Sequence, residues 1–125
     1  MIDKLEAVER GEIKRLMIFL PPGSAKSTYS SQLFPSWYIG KHPDHDIIAA
    51  SHTAELAEKF GRRVRNLSNT TEHANLFPDA RLADDSQAAH RWATKVGGQG
   101  VCLCTRMGIA GLSRYSWLTL VAGRS

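Results

Sequence analysis

Three consecutive residues, Lys26, Ser27 and Thr28, carry side chains that proteins use to hold the phosphates of a nucleotide. The lysine would neutralise the β- and γ-phosphates, and the serine hydroxyl would bind Mg²⁺. The preceding residues 23–25 are small, which lets the backbone approach a ligand closely. Lys26 is the expected catalytic residue, and Ser27 is the expected metal ligand. We expect the nucleotide phosphates to be bound by Gly23, Ser24, Ala25, Lys26, Ser27 and Thr28.

The match to the phosphate-loop pattern G-x-x-x-x-G-K-[ST] is incomplete. Lys26 and Ser27 fit its last two positions, but Leu20 and Ala25 stand where the pattern has glycine. A second interpretation of these residues therefore stays open. In it, a proline-started turn leads into a helix that Ser24 caps, and Lys26 points into solvent.

The segments on either side of the loop favour a phosphate site. Residues 16–20 are apolar throughout and are followed by Pro21 and Pro22, which is typical of a buried strand in a parallel sheet. After the loop a helix is predicted from Ser27, and Pro35 must bend or interrupt it. Its apolar residues recur at four-residue spacing: Tyr29, Leu33 and Trp37.

A second strand and helix follow the first pair. Residues 47–50 predict a short buried strand, and Thr53 supplies an N-cap for a helix that reaches about Leu67. Its apolar stripe consists of Leu56, Phe60, Val64 and Leu67. This alternation predicts an α/β fold of the P-loop NTPase type, a parallel sheet flanked by helices, here incomplete.

The remaining helices and strands are predicted from shorter sequence patterns. A helix is expected at residues 2–8, ended by Gly11, and residues 68–86 are expected to be irregular. Residues 91–94 and 101–105 flank two glycines and predict a hairpin, and residues 117–122 predict one more strand.

The bulk composition is that of a globular chain outside the membrane. Of its 125 residues, 42% are hydrophobic and 22% are charged, and no apolar run approaches the roughly 20 residues of a membrane-spanning helix. The N-terminus lacks a signal peptide, so a cytoplasmic location is expected. The net charge of +4 is uneven, because residues 1–85 hold all 12 acidic side chains against 11 basic ones. Charge alone does not indicate DNA binding.

The segment from Phe19 to Tyr29, which reads FLPPGSAKSTY, resembles the deviant Walker A segment of large terminase subunits from tailed phages and prophages. In that family a proline pair commonly stands where the first glycine would be. The resemblance begins at Leu5 and extends to about Trp92, roughly three-quarters of the chain. It includes the stretches FPSWY at 34–38, IIAASHTAELA at 47–57, GRRVRNL at 61–67, and LADDS at 82–86 before Arg91 and Trp92.

The resemblance implies the ATP-hydrolysing motor that packages phage DNA into procapsids, with ATP and Mg²⁺ as cofactors. It also implies double-stranded DNA, a terminase small subunit and a portal protein as partners, in the cytoplasm of a bacterial host. His52 and Thr53 would lie near the nucleotide. A charge-sensing arginine among Arg62, Arg63 and Arg65 is conceivable, although a solvated helix face is the preferred interpretation of those three.

The acidic half of a hydrolytic site is missing from the sequence. The family has an apolar strand that ends in an aspartate, usually followed by a second acid, and residues 117–125 occupy that place here without either. No Asp or Glu follows Asp85, and Asp84 and Asp85 follow no apolar strand. We therefore expect residues 1–97 to be the N-terminal part of a P-loop ATPase domain. Residues 98–125 would be a divergent tail, read out of frame or left by truncation. A third alternative is that another subunit supplies the acids.

Two other functions remain open at this stage. One is a different P-loop ATPase such as a helicase, which would be expected to show an Asp-Glu strand end. The other is a non-enzymatic DNA-binding remnant that uses the basic residues 86–125, which hold five Lys/Arg and no acid. Nucleotide affinity is expected to be poor, because no glutamine precedes Gln32 and the family has an adenine-contacting glutamine region upstream.

Overall fold

The structure is a computed structural model that describes residues 1–51, 53–87, 91–97, 99–104 and 119–123. The chain contains both helices and strands, so the coarse part of the expected fold class, a fold that mixes the two, is confirmed. In chain order the elements are α1 (Ile2–Glu9), α2 (Lys26–Thr28), a π-helical segment (Tyr29–Leu33), α3 (Phe34–Lys41), β1 (Asp46–Ser51), α4 (Ala54–Ser68), α5 (Thr71–Leu76), β2 (Leu82–Gln87), β3 (Arg91–Thr94), β4 (Gln99–Cys104) and β5 (Thr119–Gly123).

The five strands form one mixed sheet in the order β2-β3-β4-β1-β5. Strands β1 and β4 are parallel, with Ala49 opposite Cys102, whereas β5 runs antiparallel to β1. The predicted hairpin is confirmed as β3 and β4, with Trp92 opposite Gly100. The predicted strand near the C-terminus is present as β5, although residues 117 and 118 lie outside the described part. A single parallel pair among these strands does not amount to the parallel sheet of a P-loop domain.

The strand predicted at residues 16–20 is wrong, since no secondary structure is assigned from 15 to 21. Leu16 and Ile18 are half-buried and pack against the core, but the Met17 and Phe19 side chains are 71% and 69% exposed. A strand buried on both faces needs a covering layer on each side. Here the core covers one side of the segment, so its side chains alternate between core and solvent.

Three predicted elements are confirmed close to their expected bounds. Helix α1 ends next to Gly11, whose φ of 78° suits glycine, and β1 covers the predicted strand at 47–50. Helix α4 begins after Thr53, whose hydroxyl oxygen accepts a hydrogen bond from the Leu56 N–H at 3.3 Å. Phe60 and Val64 of its predicted stripe are buried, and α4 packs against β1, β4, α3 and the π-helical segment.

The irregular segment predicted at residues 68–86 is also wrong, because it contains α5 and β2. Thr70 caps α5 by accepting a hydrogen bond from the His73 N–H at 3.3 Å. The His73 ring is buried, and its Nε2 bonds the Ser36 carbonyl oxygen of α3 at 3.0 Å. A contact between residues 37 positions apart therefore helps to fix this short helix.

The core lies where α1, α3 and α4 meet the sheet. Its largest fully buried side chains are Trp92 of β3 and Ile39 of α3, and the cluster around them includes Leu5, Phe34, Tyr38, Ile47, Val64 and Leu82. The helix that follows residues 23–25 is therefore anchored in the interior through α3. In the described part of the chain, no helix has the length and apolar character needed to cross a membrane.

Candidate phosphate-binding site

A tight turn at Pro21–Ser24 precedes the loop. The Ser24 N–H and hydroxyl both donate to the Pro21 carbonyl oxygen, at 3.3 and 2.7 Å. Gly23 has a φ of 81°, and Pro22 precedes it, which is the residue pattern of a type II turn. Because its hydroxyl points back to Pro21, Ser24 does not cap the following helix. The Ser24 cap expected in the plain-turn interpretation of this segment is therefore wrong.

Ala25 is the N-cap residue of α2 and adopts a left-handed conformation, with φ 54° and ψ 19°. It is the only non-glycine residue with positive φ in the described ranges. The phosphate-loop pattern has glycine at this position, and glycine adopts such a conformation without steric cost. The backbone at residue 25 therefore has the shape for which the motif selects glycine, although the residue is alanine.

The helix that begins at Lys26 starts with unpaired donors. Ala25 provides no side-chain cap, and the first helical backbone bond is that of the Tyr29 N–H to the Ala25 carbonyl oxygen at 3.2 Å. The N–H groups of Lys26, Ser27 and Thr28 make no hydrogen bond within the residues that the structure describes. Such donors, together with the positive end of the helix dipole, favour an anion at this position.

The side chains of the loop are similarly accessible. Lys26 and Ser27 are half-buried, and Thr28 is exposed. Among the described residues, neither the Lys26 ammonium nor the Ser27 hydroxyl has a hydrogen-bond or ion-pair partner. A Cβ added at Gly23 would meet no atom within 4 Å, so the surface of the loop is open. All of the predicted residues 23–28 are therefore at least partly accessible to solvent.

The helix behind the loop is continuous from Lys26 to Lys41 and contains the π-helical segment Tyr29–Leu33. The Ser30 hydroxyl donates to the Lys26 carbonyl oxygen at 2.8 Å. Pro35 lies two residues after the end of the π-helical segment and has no N–H to give to a carbonyl four residues earlier. The predicted interruption at Pro35 therefore takes the form of a widened turn rather than a break.

Ser27 is the only residue of the loop that is expected to bind a metal. Ser27 is half-buried in α2 and stays the expected Mg²⁺ ligand, and the described residues contain no cluster of three His, Cys, Asp or Glu side chains suited to a metal. Asp84 lies in β2 rather than in the polar loop expected there, and its side chain is 90% exposed and 3.3 Å from Lys95 Nζ. Strand β5 is antiparallel to β1, so its C-terminal end lies beside the start of β1.

A second cluster of polar side chains joins α1 to the end of α3. Glu9 Oε1 accepts from His42 Nε2 at 2.8 Å and lies 3.2 Å from Lys41 Nζ. The rings of His42 and His45 are stacked 4.7 Å apart, and the Tyr38 hydroxyl is hydrogen-bonded to His45 Nδ1 at 2.9 Å. Sequence reasoning missed this cluster because its members are 33 positions apart at the Glu9–His42 contact.

Opposing effects set the ionisation of this cluster. Burial raises the pKa of the Glu9 carboxyl, but the hydrogen bonds from His42 and Lys41 and their positive charges outweigh it, so the pKa lies below its ordinary value. Burial also raises the pKa of the Tyr38 hydroxyl, with help from the negative charges of Glu9 and Asp44. The cluster binds two helices to each other and contains no unpartnered nucleophile, so we assign it a structural role.

The other predicted positions are less informative. Arg62 and Arg63 are exposed on α4, and Arg65 donates to the Asn66 side-chain oxygen at 3.1 Å, which agrees with a solvated helix face. His52, like residues 105–118, lies outside the described part of the chain. Strands β4 and β5 both come from residues 98–125, and the boundary expected at residue 97 stays a prediction.

In comparisons with known protein families, curated proteins and solved structures, nothing matches this chain.

Proposed function

We propose that this chain binds the phosphates of ATP through residues 23–28 and is part of the motor ATPase of a phage DNA-packaging machine, resembling a terminase large subunit. The observation that carries the proposal is the uncapped start of the helix at Lys26. Three unpaired N–H groups, a half-buried lysine without an ion-pair partner and a left-handed residue 25 coincide there in the described structure. That combination suits a polyphosphate better than any neutral ligand.

Each loop residue has a distinct role in this proposal. The N–H groups of Lys26, Ser27 and Thr28 would donate to phosphate oxygens, and the Lys26 ammonium would neutralise the charge shared by the β- and γ-phosphates. The Ser27 hydroxyl would hold Mg²⁺, which supplies Lewis-acid stabilisation of the phosphate charge when bound. Gly23 and Ala25 would keep the backbone turned, and the Ser24 hydroxyl would fix the preceding turn.

The wider parts of the proposal depend on the resemblance of residues 5–92. They are a parallel P-loop sheet in the complete domain, double-stranded DNA, a small subunit and a portal as partners, and the cytoplasm of a bacterial host. A packaging motor is favoured over a helicase because the proline pair at 21–22 belongs to the resembling Walker A segment.

The test is a titration of the protein with Mg²⁺-tripolyphosphate by isothermal calorimetry. We expect measurable binding to the wild type and at least tenfold weaker binding to Lys26→Ala, because one tenfold step corresponds to about 1.4 kcal/mol and a charge-assisted contact contributes about that much. Lys59→Ala, at an exposed lysine of α4, is the matched control and should bind as the wild type does. Equal binding by Lys26→Ala and the wild type would refute the loop assignment.

A further inference from the structure

A mostly apolar cavity lies directly beside the phosphate loop. It has a volume of about 200 Å³ and is bounded by α1 on one side and by the helix after the loop on the other. Tyr29, Leu33 and Trp37 line one wall, and Ile2 and Glu6 belong to the opposite wall. The volume is below the roughly 300 Å³ at which drug-sized pockets begin, so it suits a single ring system.

One wall of the cavity begins at Tyr29, directly after the loop. Tyr29 follows Thr28 directly and lies three residues after Lys26, which on an α-helix places the two within about 60° of each other around the axis. Helix α1 runs in the same direction as the helix after the loop, because Ile2 lines the cavity with Tyr29 whereas Glu9 contacts Lys41. The first turn of α1 therefore lies opposite the first turns of the helix after the loop.

Aromatic surface is available in this cavity. The Tyr29 and Leu33 side chains remain 38% and 42% exposed, and Ile2 is 52% exposed. Tyr29 makes no ring contact among the residues that are described, whereas Trp37 packs against Phe34 at 6.0 Å and carries Lys41 Nζ over its ring at 4.9 Å. Tyr29 is thus the ring that offers a free face, and Trp37 is held in place at the far end.

The one acidic group on the wall is Glu6. Its side chain is half-exposed, and its only ion pair with another described residue is a long one of 4.0 Å to Arg10, so a carboxylate oxygen can accept a further hydrogen bond. A flat ring with an N–H donor on its edge would satisfy both the apolar wall and this carboxylate. A purine base has this chemistry, and it is attached through a sugar to phosphates.

We propose that the cavity between α1 and the helix after the loop binds the purine base of a nucleotide, with the base stacked on Tyr29 and its edge donating to Glu6. This inference rests on the proposed phosphate site, since the phosphates on residues 23–28 are what place the base beside Tyr29. Tyr29 and Glu6 are binding residues in this arrangement and take no part in phosphate chemistry.

The test compares Mg²⁺-ATP with Mg²⁺-tripolyphosphate, which has the same phosphates without base or sugar. By isothermal calorimetry the wild type should bind ATP about tenfold more tightly, because stacking of one base on an aromatic side chain corresponds to about one tenfold step in affinity. Tyr29→Ala should lose that preference and bind tripolyphosphate as the wild type does. Leu33→Trp, which fills the cavity, should have the same effect and guards against a folding defect in Tyr29→Ala.

The control is Leu76→Ala, at an exposed leucine of α5 that does not line the cavity, and it should bind both ligands as the wild type does. Equal binding of ATP and tripolyphosphate to the wild type would overturn the base site and leave the loop intact. So would a loss of both ligands in equal measure in Tyr29→Ala and Leu33→Trp, or unchanged ATP binding by the two variants. Binding of neither ligand to the wild type would overturn the loop and the base site together.

Discussion

At the scale of single residues, Ala25 is the most constrained position of the candidate site. Its φ of 54° brings the Cβ atom of an L-residue too close to the following carbonyl oxygen, which costs about 1–2 kcal/mol. The turn before it and the helix after it maintain this conformation. The residue gives the loop the backbone shape of a glycine-containing phosphate loop while retaining a methyl group.

Ala25→Gly should therefore stabilise the protein. We expect the free energy of unfolding to rise by about 1 kcal/mol, because glycine adopts this conformation without the steric cost of Cβ. Urea denaturation followed by circular dichroism measures the change. Ala74→Gly, inside α5 where the backbone is helical, is the matched control and should lower stability by about 1 kcal/mol. A loss of stability in both variants would show that residue 25 is not left-handed.

A second prediction at the scale of single residues concerns Glu9. Since the pKa of its carboxyl is lower in the folded chain than in the unfolded one, the resulting stabilisation is fully present above the ordinary glutamate pKa of 4.5 and is lost as the pH falls through the lower folded value. Glu9→Gln should flatten the acid limb of a stability–pH profile below about pH 4.5. Glu72→Gln, at an exposed glutamate of α5, should leave it unchanged. An acid limb of wild-type steepness in Glu9→Gln would contradict the His42–Glu9 contact.

At the scale of elements, close packing between α3 and the end of α5 determines which residues fit. A Cβ at Gly40 would lie 2.5 Å from Phe77 Cδ2, closer than packed atoms allow. Phe77 itself packs on the His73 ring at 5.1 Å, and His73 is bonded to the Ser36 carbonyl oxygen. The short helix α5 is therefore locked against α3 at two points.

Gly40→Ala should destabilise the protein even though alanine is the better helix former. The gain in helix propensity is about 1 kcal/mol, whereas forcing the Phe77 ring to move costs typically 1–3 kcal/mol, so we expect a net loss of about 1 kcal/mol. In a Phe77→Ala background the same change should be stabilising, which a double-mutant cycle by chemical denaturation would measure. Additive effects of the two substitutions would argue against the contact.

The sequence predicted correctly those helices and strands whose caps and apolar patterns lie within the element itself. Helix α4 has Thr53 and a regular apolar stripe, and β1 is a short apolar run, so both were predictable. Residues 16–20 have the same apolar run as a buried strand, and whether such a run becomes one depends on layers that lie elsewhere in the chain. Helix α5 was missed because a distant contact from His73 to Ser36 contributes to it. The assignment of residues 23–28 to a phosphate site stays a prediction from their residue types, whereas the cavity beside Tyr29 required the position of α1.

At the scale of the whole molecule, the proposed phosphate loop and the described part of the sheet do not combine into a complete hydrolytic site. A loop of this kind binds phosphates with its own N–H groups, but hydrolysis also needs a carboxylate that orders Mg²⁺ and the attacking water. The sequence has no acid after Asp85, and β5 is antiparallel to β1. If residues 23–28 bind phosphates as proposed, binding and turnover are separable in this chain.

We expect the chain to bind Mg²⁺-ATP without steady turnover. Release of inorganic phosphate, measured with malachite green over hours at saturating ATP, should not exceed that of a buffer blank. Lys26→Ala is the control for contaminating ATPases, because a contaminant would be equally active in both preparations. Turnover by the wild type that disappears in Lys26→Ala would show that an acid elsewhere in the chain completes the site.

The π-helical segment Tyr29–Leu33 has a consequence for how the length of this helix can change. A π turn encloses one more residue than an α turn, so the segment acts as a one-residue insertion that leaves the helix on either side in register with its own contacts. Deleting one residue there would restore the regular spacing, but it would also place Pro35 against the carbonyl group four residues earlier. The extra residue and the proline are thus coupled. Among related chains, a helix shorter by one residue should have another amino acid in place of the proline.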